Sequence, residues 1–202
     1  MGEKVAVADG KPVPLIPQQW LPERLPATAM PTGFAFTIPH QWVKFLSDPR
    51  WAGQYAPFER AVLTDEMWLG LHRINRKVNA FTFRADPADN DSWTIAVNED
   101  GDIIEPEIDC DTSALTKRYL IAREGICPLG ALRPTALKLR RSGISHMVIV
   151  VCTDFGDYVL DNMNPFILPW ALCAAQGLRH QWIAMGGPKE EWVRIMVDPN
   201  AP

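Results

Sequence analysis

Three residues of this chain have the types and spacing to do chemistry together: Cys110, His146 and Asp161. Cys110 sits in the run Glu107-Ile108-Asp109-Cys110-Asp111-Thr112-Ser113, where a helical pattern begins. His146 heads the apolar run Met147-Val148-Ile149-Val150-Val151, and Asp161 follows Tyr158-Val159-Leu160. A free thiol near neutral pH is mostly protonated, and only the thiolate is a strong nucleophile. A helix start supplies the positive end of the macrodipole and unpaired N–H groups, which favour a thiolate and can hold an oxyanion. A histidine nearby takes the proton, and a carboxylate fixes that histidine in the useful tautomer. Asp109 and Asp111 oppose a thiolate by their charge, so they are expected to point away, as a helix cap or as metal ligands. Cys127 is the rival nucleophile, but Pro128 follows it and no helix begins there. The same residue types also serve structural ends: a cysteine at a helix start, a histidine at a strand edge, an Asp-Asn strand exit.

The elements that must position these residues can be read from periodicity. A helix is expected from about Asp111 to Glu124, with Leu115, Tyr119 and Ala122 on one face and Gly125 as its stop. Strands are expected over Thr135–Arg140, Ser145–Cys152 and Phe155–Asp161, with a last one over Trp192–Val197. The hairpin register is open. A turn centred on Thr153-Asp154 sets His146 directly opposite Asp161, whereas one centred on Phe155-Gly156 sets Asp161 opposite Val150. Upstream, a helix is expected over Pro39 to Leu46. Thr64 caps a longer one whose buried stripe is Met67, Leu71, Ile74 and Val78, with Trp68 and a packed or solvated His72 beside it. Helices in the first half and antiparallel strands in the second read as α+β.

Composition narrows the function classes. The chain has 202 residues, 47% apolar and 22% charged, enough for one domain with a real core. A net charge of -4 argues against a nucleic-acid groove, and Lys138-Leu139-Arg140-Arg141 reads as a solvated edge. The cysteines at 110, 127, 152 and 173 form no C-x-x-C pair, which excludes a zinc knuckle or thioredoxin motif; Cys152 and Cys173 read as buried apolar residues. No stretch reaches the ~18 apolar residues of a membrane span. The first residues lack a signal-peptide apolar region, so the chain as written is expected in the cytoplasm. Residues 1–33 hold six prolines and are expected to form an extended arm without ladder pairing, leaving 34–202 as a single domain. Between Glu99 and Asp111 there are seven acidic residues and no basic one. This is a solvated loop or, without a D-x-D-x-D-G signature, an irregular calcium site.

The motifs combine into a family pattern. Ile108-Asp109-Cys110-Asp111 with Ala114-Leu115-Thr116-Lys117-Arg118, Gly143-Ile144-Ser145-His146-Met147-Val148, and Gly156-Asp157-Tyr158-Val159-Leu160-Asp161-Asn162 with Leu168-Pro169-Trp170 resemble the bacterial transglutaminase-like cysteine proteinases. Leu63-Thr64, Trp68, Val78-Asn79 and Asp91-Ser92-Trp93 resemble that family's lead-in. The resemblance implies a papain-like or transglutaminase-like α+β fold with N-terminal helices packed on an antiparallel sheet. It implies endopeptidase activity on a protein or peptide substrate, with Cys110 as nucleophile, His146 as base and Asp161 as orienter. It also implies a periplasmic setting and calcium bound by Asp109 and Asp111. Trp93 is a candidate oxyanion donor through its indole N–H. The family's Glu-Asp-Tyr after the cysteine is Asp111-Thr112-Ser113 here. Two other functions share the fold: acyl transfer to an amine, and a catalytically silent binding module.

Overall fold

The computed structural model describes residues 6–8, 11–13, 29–30, 40–51, 56–87, 91–139, 142–175, 180–186 and 192–195. In the proline-rich arm, β1 (Ala6–Ala8) and β2 (Lys11–Val13) pair antiparallel with Pro12 opposite Val7. Another short strand, β3 (Ala29–Met30), lies at one edge of the main sheet. Proline density therefore does not bar every ladder. A strand paired on one side only can hold a proline whose missing N–H faces outward. The rest of the arm lies outside the described residues.

Helix α1 (His40–Ser47) turns Trp42 and Phe45 inward, one residue on from the expected span. Helix α2 (Asp65–Asn79) starts at Thr64, whose Oγ1 accepts the Met67 N–H at 3.1 Å. Its expected stripe of Met67, Leu71, Ile74 and Val78 is buried, and His72 packs edge-on to Trp68 with ring centroids 4.7 Å apart. Two short strands, β4 (Thr82–Phe83) and β5 (Glu107–Ile108), pair in parallel, which returns the acidic segment to the start of the next helix.

That helix, α3 (Cys110–Arg123), ends before Gly125, whose φ of 67° only glycine adopts without strain. Its surface departs from the expected single apolar face: every residue from Asp111 to Arg118 is buried. The physical reason is enclosure, since α2, two strands of the main sheet and the 93–97 loop all pack around it. Two of its buried polar side chains are bonded outward, Thr116 Oγ1 accepting the Ala96 N–H at 2.9 Å and Arg118 Nε donating to Leu132 O at 3.1 Å.

The main sheet is built from β6 (Leu132–Leu139), β7 (Ser145–Cys152), β8 (Asp157–Leu160), β9 (Leu168–Pro169), β10 (His180–Gly186) and β11 (Trp192–Ile195) together with β3. The order β3-β11-β10-β6-β7-β8-β9 is antiparallel throughout. Helix α4 (Trp170–Ala175) begins at Trp170. On one face Met147, Ile149, Val151, Tyr158 and Leu160 join α2 and α3 in the larger core. On the other, Leu137, Val148, Val150, Cys152, Val159, Trp170 and Cys173 form a smaller one. Burial of such side chains contributes about 1.5–3 kcal/mol each.

Strand β6 starts earlier than expected because Pro134, opposite Ile149 on the β7 side, lies beyond the β10 ladder, which ends at Thr135. Strand β10 has no counterpart among the expected elements. Its register shifts between Trp182 and Ala184, which breaks the two-residue alternation that marks a strand.

Candidate active site

Asp109 caps α3 with extended backbone: its Oδ1 accepts the Thr112 N–H at 3.0 Å and its carbonyl accepts the Ser113 N–H at 3.1 Å. Cys110 is thus the first helical residue, and it is half-buried. The backbone N–H of Met147, next in chain to His146, is turned toward the Cys110 thiol and favours its thiolate. His146 Nε2 and Asp161 Oδ1 are 2.9 Å apart, with both side chains buried.

Neither expected hairpin register occurs. Val150 lies opposite Val159 and Cys152 opposite Asp157, so continuing the ladder sets Asp161 opposite Val148. Asp161 therefore meets His146 along the diagonal, a separation of ~7–8 Å between backbones that long side chains cross. The turn is fixed from outside the hairpin as well as within it. Thr153 N donates to Gly156 O at 2.9 Å, while Ala61 N reaches Cys152 O at 3.0 Å and Asp154 N reaches Ala61 O at 2.9 Å. Arg60 Nη1 adds bonds of 2.7 Å to Thr153 O and to the buried Asp157 carboxylate.

Burial works against the Asp161 carboxylate, yet the His146 bond, the Met163 amide and the charge of Lys117 hold its pKa below the ordinary value. Lys117 lies two turns along α3 from Cys110 and is 1% exposed. Burial pushes its ammonium down to about 7 against the pull of Asp161. The Cys110 thiol is pushed up to about 12, first by burial and then by Asp111 and Asp109. Desolvation and the two flanking charges thus oppose the thiolate that the helix start was expected to favour.

One oxygen each of Asp86, Asp91 and Asp109 lie within 4.8 Å of one another, and the same holds for ligand atoms of Asp109, Cys110 and Asp111. Burial raises the pKa of Asp111, with Asp109 adding to it, and burial and Asp109 likewise raise that of Asp91. Asp111 Oδ1 is buried with no hydrogen-bond partner. Crowded oxygens with one left unbonded are a donor set suited to a hard cation. The indole N–H of Trp93 is directed at Asp91, and its ring packs against Trp42 and Trp192 at 6.4 and 6.1 Å.

Residues 33–198 match the family model described as bacterial transglutaminase-like cysteine proteinase. The chain belongs to that family. The protein is therefore a cysteine peptidase, and its substrate is a protein. Among solved structures, calcium-bound LapG of Legionella pneumophila matches with a TM-score of 0.53 and 19% identity, over 67% of this chain and 74% of that one. EGTA-treated LapG matches with a TM-score of 0.50 and 21% identity, over 63% of this chain and 67% of that one. These likenesses show the transglutaminase-like fold. No curated protein matches the chain.

Several residues around the candidate site carry no local signal in the sequence of what they touch. Asp86 and Asp91 reach Asp109 only because β4 and β5 pair. Lys117 and Asn79 stand within the family pattern, but only the fold shows Lys117 buried and Asn79 bonded to the loop after β8. Cys127, Cys152 and Cys173 are buried, and burial pushes each thiol up to about 12. Among the described residues no helix is long and apolar enough to cross a membrane.

Proposed function

We propose that the peptidase cleaves its protein substrate with Cys110 as nucleophile, His146 as base and Asp161 as orienter, through a thioacyl intermediate. The observation that carries this reading is the buried 2.9 Å contact between His146 Nε2 and Asp161 Oδ1, on a strand whose next residue, Met147, turns its N–H toward the cysteine that opens α3. With Nε2 bonded to the carboxylate, Nδ1 takes the Cys110 proton. Sulfur adds to the scissile carbonyl; the C–S bond forms, the C–N bond breaks, and His146 passes the proton to the leaving amine. Water then attacks the thioester with His146 as base, the acid leaves, and the thiol is restored. Backbone amides at the start of α3 hold the oxyanion. Trp93 acts on Asp91 instead, since its N–H is directed there.

Asp91, Asp109 and Asp111, with Asp86, are the residues that would hold calcium, the ion named for one of the LapG forms. Bound calcium would balance the carboxylate charge that opposes a thiolate. The compartment this reading favours is the periplasm, as the family resemblance implies.

The test is iodoacetamide labelling of the full chain at pH 7 in CaCl₂, mapped by peptide mass. Cys110 is expected to react faster than Cys127, Cys152 and Cys173. His146→Ala should slow it by roughly thirtyfold, toward the few per cent thiolate of an ordinary thiol. Asp161→Asn should cost less, because the imidazole remains. Equal rates at Cys110 and Cys127 would remove the triad.

A further inference from the structure

We infer that Asn79, the last residue of α2, is a positioning residue of this peptidase: its side-chain amide fixes the loop that carries Asp161. This rests on the triad reading above. Asn79 Nδ2 donates to two backbone carbonyls of that loop, Asp161 O at 3.0 Å and Asn164 O at 3.1 Å. An amide nitrogen has two hydrogens, so each carbonyl takes one. The orientation is forced, because a flipped amide would set its oxygen against both carbonyls.

Asparagine at a helix end ordinarily serves the helix itself, in a left-handed cap. Here the cap is Ala80, in right-handed conformation, with its N–H bonded to Val78 O. The Asn79 side chain is used on another part of the chain. One turn earlier, buried Asn75 directs its Nδ2 at Pro165 O, 3.4 Å away. Two asparagines on one face of α2 thus reach three carbonyls of residues 161–165.

Within the loop, Asp161 Oδ1 accepts the Met163 N–H at 2.9 Å and also meets His146 Nε2. The carboxylate is therefore aimed by its own turn, and the turn is fixed to α2 by Asn79. A shift of this loop would move Oδ1 away from the imidazole without touching Cys110. A side chain that contacts no reacting atom acts on the chemistry through Asp161.

A double-mutant cycle on the full chain in CaCl₂ tests this, read as the iodoacetamide rate at Cys110 at pH 7. Asn79→Ala is expected to slow labelling about tenfold, whereas adding it to Asp161→Ala should change nothing further, as for groups acting as one unit. Asn79→Ser, which keeps one donor, should fall between wild type and Asn79→Ala, and serves if the alanine variant does not fold. Additive losses, or an Asn79→Ala rate equal to wild type, would reduce Asn79 to a structural residue and leave the triad standing. An unchanged rate in Asp161→Ala alone would sink both.

Discussion

At the scale of residues, the four aspartates beside Cys110 present opposing demands. Asp109 already gives an oxygen to the Thr112 amide, as a helix cap should, yet it also borders both carboxylate groupings. Asp111 has a buried oxygen with no partner, a cost of ~1–3 kcal/mol that a cation would relieve. Chelator-stripped protein titrated with CaCl₂ in a calorimeter should give a binding isotherm. Asp111→Asn and Asp91→Asn should each weaken binding at least about tenfold, because each removes a charged ligand. Melting temperature should rise with calcium in wild type by mass action. Wild-type heats in both variants would return these carboxylates to capping and solvation. The sequence displayed Asp109 and Asp111 because they flank the cysteine. Asp91 stands in the family's lead-in, but its proximity to Asp109, like that of Asp86, depends on β4 pairing with β5, and no local pattern reports a parallel pair made at that distance along the chain.

At the scale of elements, the hairpin β7–β8 brings His146 to Asp161, and its turn is held by the 57–63 segment. That segment leans on the short 3-10 turn Leu129–Ala131, where a Cβ on Gly130 would lie 1.9 Å from Pro57 O. Backbone cannot yield as a side-chain tip does, so Gly130→Ala should displace residues 57–61. Overpacking of this kind costs ~1–3 kcal/mol. Thermal melts should show that loss, together with slower Cys110 labelling because Ala61 and Arg60 no longer fix the turn. A variant with wild-type stability and labelling would show that the segment can move without cost. The same coupling explains what could be read beforehand. Helix α2, its Thr64 cap and the span of β7 followed from spacing and caps, which are local. The hairpin register did not, because Thr153 and Asp154 pair with Ala61, about ninety residues earlier. His146 and Asp161 still meet because the observed register leaves both on one face.

At the scale of the whole molecule, α3 is enclosed on all sides from Asp111 to Arg118, and enclosure accounts for the expectation that fared worst. A helix read as having one apolar face buries Thr112, Ser113, Thr116, Lys117 and Arg118 as well. Amphipathic reading assumes a helix with a solvent side, and a central helix has none. Lys117 bears the largest consequence. Its ammonium is 1% exposed, and burial pushes its pKa down to about 7 from the 10.5 of a free lysine, with Asp161 the charge that works the other way. Below about pH 7 folded and unfolded chains both hold the proton, and the full desolvation cost is present. Between about 7 and 10.5 the folded chain sheds the proton first, so this residue's contribution to stability rises with pH. Lys117→Met, of similar volume, should therefore stabilise the fold by ~1–4 kcal/mol near pH 6. The gain should shrink as pH approaches 9. Melting curves of both proteins across pH 6 to 9 would measure it. A variant less stable than wild type at every pH would show that attraction to Asp161 exceeds the desolvation cost. A gain independent of pH would show that the ammonium keeps its proton throughout.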